Sequence, residues 1–245
     1  MAPIRAGSKP PGPLEDPLDY LFSAQVVEYR KGQVIYNQDA PSTNIYVILK
    51  GRVKVSRLAE GGRQVIVNIY QTKEFFGESA LVHLPQRAEV ATALENTKLM
   101  TWTASEVEEL ALRQPRLGIA FLQMLAQRTT EFARRIESLS ADNVAQRLAR
   151  CLISLSERMG TPQKDGSVRM VHFTQELLSE HIGSRREIVS KYMNQFRERG
   201  YLQYSRKGIV LYRDALHKWL HETGQKRINF APDEPTQPSP GGRQT

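Results

Sequence analysis

The chain is poor in cysteine, since Cys151 is the only one among its 245 residues. A single cysteine does not ligate an iron–sulfur cluster alone and does not build a disulfide framework, so both kinds of protein are excluded. Cys151 lies in an apolar helical stretch with Leu148, Leu152 and Leu155, which favours a small residue of the core. We therefore expect a cytoplasmic protein.

Several other signals are missing. No run of about 18 apolar residues is present, so we expect no membrane-spanning helix. Met1–Asp16 is rich in proline and glycine and lacks the apolar segment of a signal peptide. The sequence lacks a glycine-rich phosphate loop, a Cys/His metal cluster and a recognisable Ser/His/Asp set. We expect no enzyme, no metal site and no required cofactor, with a nucleotide-regulated enzyme, such as a kinase subunit, kept as the rival hypothesis.

Positive charge is plentiful and unevenly placed. Lys and Arg number 34 against 26 Asp and Glu, a formal net charge of +8. Residues 141–227 contain 16 Lys and Arg against 9 Asp and Glu, so nearly all of the excess lies in this segment. A basic region of this kind is typical of a nucleic-acid footprint, and a solvated basic surface is the alternative.

The chain divides by its hydrophobic patterns. Between Val26 and Trp102, short runs of β-branched and aromatic residues alternate with turn signals, which predicts a sandwich or barrel. The two proline-rich ends contain too few apolar residues to offset their ordering entropy. The predicted segments are a disordered N-terminus (1–17), a sensor domain (18–114), a dimerisation helix (115–140), a DNA-binding domain (141–222) and a disordered tail (223–245).

The apolar period changes to that of a helix between Arg116 and Leu139. A long helix with a narrow apolar stripe packs either on its own domain or on a twin helix, and we favour the twin. The predicted dimerisation residues are Phe121, Leu125, Phe132, Ile136 and Leu139.

A helix-turn-helix is predicted between Phe173 and Phe196. Thr174 is suited to cap its first helix, Gly183 permits the sharp turn, and Ser184 is suited to cap the second helix. The outer face of the second helix, with its mixture of charges, suits base readout in a major groove. The predicted DNA-reading residues of this helix are Arg185, Arg186, Glu187, Ser190 and Lys191. An amphipathic helical hairpin with a charged face is the alternative.

A β-hairpin follows, with Arg206 and Lys207 at its tip. This hairpin resembles a wing whose basic tip contacts phosphate, whereas an ordinary solvated turn is the alternative.

At these residues the sequence resembles the family of the cyclic-AMP receptor protein and the fumarate–nitrate reduction regulator, the Crp-Fnr family. Arg186, Glu187 and Lys191 fall where the receptor protein has the Arg, Glu and Arg that read bases. Lysine at the third position lacks the bidentate fork of arginine, which changes the expected base preference there.

The N-terminal half resembles the same family. Gly77, Glu78, Ser79, Arg87 and Ala88 match its phosphate-binding cassette, in which Glu holds a ribose hydroxyl and Arg pairs with the cyclic phosphate. The family's usual Ser or Thr is replaced by Ala88. Its adenine-contacting Thr-Ser pair aligns with Phe132-Ala133, although Thr129 and Thr130 lie one turn earlier.

The resemblance implies an α+β protein with an N-terminal cyclic-nucleotide-binding-like β-barrel (a double-stranded jelly roll), a long dimerisation helix and a C-terminal winged helix-turn-helix. It implies a homodimeric regulator that binds a near-palindromic double-stranded DNA site, contacts RNA polymerase and responds to an effector, with cyclic AMP as the candidate. The alternatives are a degenerate sensor, a 2-oxoglutarate-like anion at Arg87, or an interaction module without specific DNA binding. A structural Glu78–Arg87 ion pair is a further alternative.

Overall fold

The computed structural model describes residues 15–21, 25–59, 62 and 64–228. They form two compact units. The first contains the described residues up to Arg147 together with Thr174–Ser190, and the second contains Leu148–Phe173 and the described residues from Lys191 onward. The predicted order of a β-rich N-terminal half, a long helix and a helix-turn-helix is confirmed.

Among the described residues, eight strands belong to the first unit. They are β1 (Gln25–Tyr29), β2 (Val34–Tyr36), β3 (Asn44–Lys50), β4 (Arg52–Leu58), β5 (Gln64–Gln71), β6 (Phe75–Phe76), β7 (Val90–Ala93) and β8 (Thr97–Thr103). One antiparallel sheet has the order β1-β8-β3-β6 and the other has the order β2-β7-β4-β5. Strand β6 was not predicted from the sequence, because two residues are too few to show the alternation that is typical of a strand.

Apolar side chains of the strands form two buried clusters. Ile45, Val47, Phe75 and Trp102 lie in one cluster, and Tyr36, Ile48, Val53, Tyr70, Phe76 and Leu99 are among the members of the other. Burial of a large apolar side chain contributes about 1.5–3 kcal/mol, so these clusters are the main source of the stability of the sheets. They also hold β6 in place, and the candidate effector residues follow directly after β6.

Two helices follow the sheets. Helix α1 (Ala104–Arg113) begins with a capping box, in which the Thr103 hydroxyl accepts from Glu106 N at 3.2 Å and Glu106 Oε2 accepts from Thr103 N at 2.7 Å. The hydrogen bond from Thr103 N, together with a second one from the Thr103 hydroxyl to Glu106 Oε2 at 2.9 Å, lowers the pKa of Glu106. Helix α2 (Pro115–Ala141) buries Leu117, Ala120 and Phe121, so its first turns pack on the sheets.

The remaining elements contain the helix-turn-helix and its wing. They are α3 (Val144–Met159), β9 (Thr161–Pro162), β10 (Val168–Met170), α4 (Gln175–Ile182), α5 (Arg186–Glu198), β11 (Leu202–Ser205), β12 (Gly208–Leu211) and α6 (Arg213–Ile228). The third sheet has the order β11-β12-β10-β9. Among the described residues, no helix combines the length and the apolar content that a bilayer crossing requires.

Both predicted disordered ends need correction. Glu15 N donates to Gln123 Oε1 at 3.0 Å, and Asp16 caps a short 3-10 helix, Pro17–Asp19, so the order begins earlier than predicted. At the other end α6 extends to Ile228, so the helix includes the first six residues of the predicted disordered tail. The rest of the predicted disorder, 1–14 and 229–245, lies outside the described residues.

Gly51 is required by the tight turn between β3 and β4. Its φ is +96°, and a Cβ there would lie 2.9 Å from Thr97 Cα. We expect Gly51→Ala to lower the free energy of unfolding by about 1–2 kcal/mol for the left-handed backbone and by about 1–3 kcal/mol more for the clash. Urea denaturation measures this loss.

Gly32→Ala is the matched control, because Gly32 has φ +82° and nothing within 4 Å of an added Cβ. It should show only the backbone cost. Equal losses in the two variants would contradict the assigned clash at Gly51.

Candidate functional site

The predicted effector residues begin at a glycine that the backbone requires. Gly77 has φ +86°, and a Cβ there would lie 2.9 Å from Asn44 O and 3.1 Å from Arg87 Nη1. A short 3-10 helix, Glu78–Val82, follows immediately. Gly77 thus lets the chain turn tightly around the guanidinium of Arg87.

Arg87 is almost fully buried, with 2% of its surface exposed. Its Nη1 donates to Gly77 O at 2.8 Å and to Ser79 Oγ at 2.9 Å, and its Nη2 donates to Asn44 O. The Nε–H has no partner in the described part of the chain. A buried donor without a partner is costly, and a ligand oxygen that accepted from it would remove that cost.

An aromatic ring covers this guanidinium. The Cζ atom of Arg87 lies 4.5 Å from the centre of the Tyr36 ring. Burial raises the pKa of the Tyr36 hydroxyl, and the positive charge of Arg87 opposes that rise. The ring therefore stays neutral and supplies a π face to the cation.

Arg128 of α2 reaches the same segment. Its Nη1 lies 3.1 Å from Glu78 Oε1, and its Nη2 donates to Phe75 O. Its Cζ atom lies 4.5 Å from the Tyr70 ring centre and 4.2 Å from the Phe75 ring centre. Glu78 thus pairs with Arg128, and the alternative of a Glu78–Arg87 ion pair is wrong.

Arg128 is a residue that the sequence interpretation missed. In the sequence it stands at helical spacing between the apolar residues Leu125 and Phe132 of the long helix. A charged residue on an otherwise apolar stripe was the available signal, because a buried arginine requires a partner. Its partner, Glu78, lies 50 residues away in the sequence, and the pairing needs the fold.

The other predicted effector residues are Ala88, Thr129 and Thr130. Ala88 is half-buried. Thr129 and Thr130 are exposed, and their hydroxyls donate to Leu125 O at 2.9 Å and to Ala126 O at 3.1 Å on their own helix. Within the described part of the chain, neither threonine bonds to the cassette.

The apolar stripe of α2 is partly buried and partly exposed. Phe121 is 6% exposed and packs edge-on against Phe75 with 4.7 Å between ring centres, so its assignment to a dimer face is corrected. Leu125 is half-buried against the same cluster. The predicted residues Phe132, Ile136 and Leu139 are exposed, and so is the unpredicted Leu122.

Thr174 and Gly183 have their predicted roles in the helix-turn-helix, whereas Ser184 lies two residues before the start of α5 and so does not occupy its N-cap position. Thr174 Oγ1 accepts from Leu177 N at 3.1 Å and caps α4. Gly183 ends α4 with φ +65°, in the left-handed region where glycine is favoured. Ser184 is half-buried, and its N–H donates to Ser179 O at 3.0 Å, which ties the turn back to α4.

The start of α5 presents its polar side chains to solvent. Arg185, Arg186 and Glu187 are exposed, and in the described part of the chain none of them is in an ion pair. Ser190 is half-buried and Lys191 is exposed. These groups are therefore available to base edges and phosphates.

The wing has a tight connection. Arg206 and Lys207 are exposed between β11 and β12, and Ser205 Oγ accepts from Lys207 N at 3.1 Å. The sequence interpretation missed Arg197, which is exposed and lies 5.4 Å above the Tyr204 ring of β11. Basic residues near the end of α5 were the signal for this contact.

Among the described residues, no group of three or more His, Cys, Asp or Glu could hold a metal ion. The two candidate sites are the cassette, with its buried arginine, and the exposed polar start of α5.

Two family models match the chain, one in its N-terminal half and one in its C-terminal half. Residues 26–114 match the model of the cyclic nucleotide-binding domain, and residues 146–219 match that of the Crp-like helix-turn-helix domain. The cassette lies in the first match, and α4, α5 and the wing lie in the second.

Individual proteins resemble the chain over most of its length. The CRP-like cAMP-activated global transcriptional regulator of Mycobacterium tuberculosis is 27% identical over 188 residues, which are 76% of this chain and 84% of the relative. The global nitrogen regulator of Synechocystis sp. is 28% identical over 194 residues, 78% and 86% of the two chains. The structure of TTHA1359, a CRP/FNR-family transcriptional regulator from Thermus thermophilus, matches with a TM-score of 0.63 and 27% identity, covering 80% or more of each chain (81% and 98%).

Proposed function

The chain belongs to the Crp/Fnr family of transcription regulators, and we propose that its cassette binds a small anionic effector, with cyclic AMP as the first candidate. It is an effector-controlled, DNA-binding regulator with a cyclic nucleotide-binding domain and a Crp-like helix-turn-helix. The observation that carries the proposal is the buried guanidinium of Arg87, whose Nε–H lacks a partner among the described residues. A phosphate or carboxylate oxygen accepts strongly from such a donor.

The charge of the cassette supports an anion. Arg87 and Arg128 bracket the segment Gly77–Ser79 from two sides, and Glu78 is the carboxylate between them. Two cations against one carboxylate leave one positive charge that an anion would balance. A charge-assisted hydrogen bond is stronger than a neutral one, and a buried site strengthens it further.

A small organic anion such as 2-oxoglutarate is the second candidate, and one observation favours it. In cyclic-nucleotide binders of the family the glutamate holds a ribose hydroxyl, whereas here Glu78 pairs with Arg128 at 3.1 Å. A nucleotide would have to share or replace that contact, whereas an anion without a ribose would leave it intact.

Isothermal titration calorimetry of the purified protein with cyclic AMP, and separately with 2-oxoglutarate, tests both candidates. Arg87→Lys keeps the charge but loses the planar fork of donors. Loss of one hydrogen bond to a charged group costs about 1.5–3 kcal/mol, so we expect affinity to fall by about 10- to 100-fold.

Arg57→Lys is the matched control, because Arg57 is an exposed arginine of the same domain, paired with Glu89 at 3.1 Å. It should bind as the wild type does. Saturable heat with cyclic AMP alone supports the nucleotide, and heat with 2-oxoglutarate alone supports the small anion. No heat with either anion, or equal losses in the two variants, contradicts the proposed site.

DNA reading is proposed for the exposed start of α5. Arg186 is suited to a bidentate contact with guanine, Glu187 to a cytosine amino group, and Lys191 to a base or a phosphate. Further contacts at the edges of this DNA interface would come from Arg185, Ser190, Ser184 and Thr174. The wing would bind phosphate through Arg206 and Lys207. Arg186 and Glu187 are exposed and form no ion pair with any described residue, which supports these roles.

Arg186→Ala should cost about 1–3 kcal/mol of binding free energy and relax specificity at one base position. Lys207→Ala is the comparison, since loss of a phosphate contact should weaken all sequences alike and lower the salt slope by about 1. Fluorescence anisotropy on a duplex selected by the wild type from a random library, and on its single-base variants, measures both. Uniform weakening in Arg186→Ala would exclude the base-reading role.

A homodimer is proposed through a stripe of α2 that is exposed along most of its length, with Leu125 half-buried. Leu122, Leu125, Thr129, Phe132, Ile136 and Leu139 recur at alternating intervals of three and four residues. This is the spacing of a two-stranded coiled coil. The exposure of Leu122, Ile136 and Leu139, at 50–68% of their surface, supports a partner helix there. A twofold dimer would read two half-sites about 34–36 Å apart, hence a near-palindrome.

Ile136→Asp should disrupt this dimer, because each copy would bury a carboxylate without a partner. Both copies carry the change, so we expect the dissociation constant to rise by at least about 100-fold, or 2.7 kcal/mol. Sedimentation velocity at several protein concentrations measures it. Leu112→Asp is the control, since Leu112 is 83% exposed on α1. A monomeric wild type, or a variant as dimeric as the wild type, contradicts the proposed stripe.

Four further features remain proposals. The family match supports a non-enzymatic role and a contact with RNA polymerase, and a DNA partner supports action in the cytoplasm. The predicted boundaries at residues 114, 140 and 222 remain a proposed division into sensor, dimerisation helix and DNA-binding domain.

A further inference from the structure

The last turn of α4 contacts both the β-sheet and the long helix of the same unit. Arg135 of α2 donates from Nη1 to Val67 O at 2.8 Å and from Nη2 to Ile66 O at 2.6 Å, both on β5. The same Nη2 donates to His181 O at 2.5 Å. One guanidinium therefore joins α2, β5 and the C-terminal end of α4.

An ion pair lies beside this contact. Lys54 Nζ of β4 lies 3.2 Å from Glu180 Oε2 of α4, and only 14% and 19% of the two side chains are exposed. Lys54 Nζ also donates to Gln64 Oε1 at 2.8 Å. A lysine this far removed from water loses hydration, so its partner matters more than in a surface pair.

A third cation lies at the same end of α4. Arg147 Nε donates to Ile182 O at 3.2 Å. The last carbonyls of a helix lack partners within the helix and bear partial negative charge. Lys54, Arg135 and Arg147 thus surround the negative end of α4, a favourable electrostatic arrangement.

The C-terminal end of α4, which these three cations contact, leads directly to the proposed DNA-reading residues. Gly183 follows Ile182, and α5 begins at Arg186. Arg185, Arg186 and Glu187 stay exposed while these contacts are made. The contacts therefore leave the reading face open, and they restrict where its first turn can lie.

We propose that Lys54, Arg135 and Glu180, here called the α4 anchor, are positioning residues for the start of the recognition helix. The anchor touches no DNA in this role. It acts by holding the last turn of α4 on β4, β5 and α2, which lowers the entropy that α5 must lose on binding a specific site. Arg135 of the anchor lies on α2 and contacts β5, so a shift of α2 relative to β5 would displace the anchor. An effector that moved α2 would in this way change the position of the first turn of α5.

Charge inversion of the ion pair is the test. Lys54→Glu and Glu180→Lys change the net charge in opposite directions, and the double variant restores both the pair and the net charge. The readout is the ratio of the dissociation constant on a random duplex to that on the duplex selected by the wild type, which removes the general effect of charge. Each single variant should lower this ratio about tenfold, or 1.4 kcal/mol.

In the double variant the ratio should return most of the way to its wild-type value, because the effects of two residues in direct contact are not additive in a double-mutant cycle. Amide hydrogen exchange at residues 179–184 should rise in the single variants and fall again in the double variant. The exchanged pair Glu109→Arg with Arg113→Glu is the control, because it lies on exposed α1. It should leave both measurements unchanged.

Two results would overturn the proposal. An unchanged ratio in single variants whose amides have lost protection would mean that the contact does not position α5. A ratio that stays low in the double variant would mean that the two side chains act separately. If the inverted single variants do not fold, Lys54→Gln and Glu180→Gln give the same comparison, with a smaller fall expected and an unchanged ratio again overturning the proposal.

Discussion

Two arginines of α2, the buried Arg128 and the half-buried Arg135, constrain how this helix packs in the first unit. Arg128 and Arg135 lie seven residues apart, two helical turns along nearly the same face. A guanidinium removed from water needs acceptors, since an unpaired buried ion costs several kcal/mol. Arg128 finds Glu78 and Phe75 O, and Arg135 finds carbonyls of β5 and α4. A shift of α2 along the sheets would therefore break both sets of contacts together.

Apolar and polar contacts have different roles at this helix. Leu117, Ala120 and Phe121 supply most of the attachment energy, because burial of apolar surface is favourable in many registers. The two arginines select one register, because hydrogen bonds require both distance and direction. Farther along α2 the apolar side chains of Ile136 and Leu139 are exposed, so the helix packs on the sheets at its start and presents apolar surface to solvent toward its end.

The same logic links the cassette to the helix-turn-helix. An anion at Arg87 would alter the charge around Glu78, which already pairs with Arg128 of α2. Seven residues on, Arg135 touches the last turn of α4. A ligand shifts such an equilibrium only by its difference in affinity between the two arrangements. The contacts that α2 makes with Glu78 of the cassette and with the last turn of α4 would be a physical basis for that difference.

Sequence patterns were most informative where local rules govern structure. Thr174 caps α4 and Gly183 adopts a positive φ, because caps and turns depend on a few neighbouring residues. The strand pattern located most of the two sheets for a similar reason. Phe121 was misjudged because periodicity shows which side chains share a face, whereas what covers that face depends on distant strands.

The sequence by itself thus determined the β-rich half, the long helix, the helix-turn-helix and its basic outer face, since alternation, helical period and turn chemistry are local properties. Only the tertiary structure decided that Glu78 pairs with Arg128 instead of Arg87, and that Arg135 and Lys54 hold α4. These pairs join residues 46 to 126 positions apart. Which distant charges meet follows from the packing of the apolar core, and no local pattern encodes it.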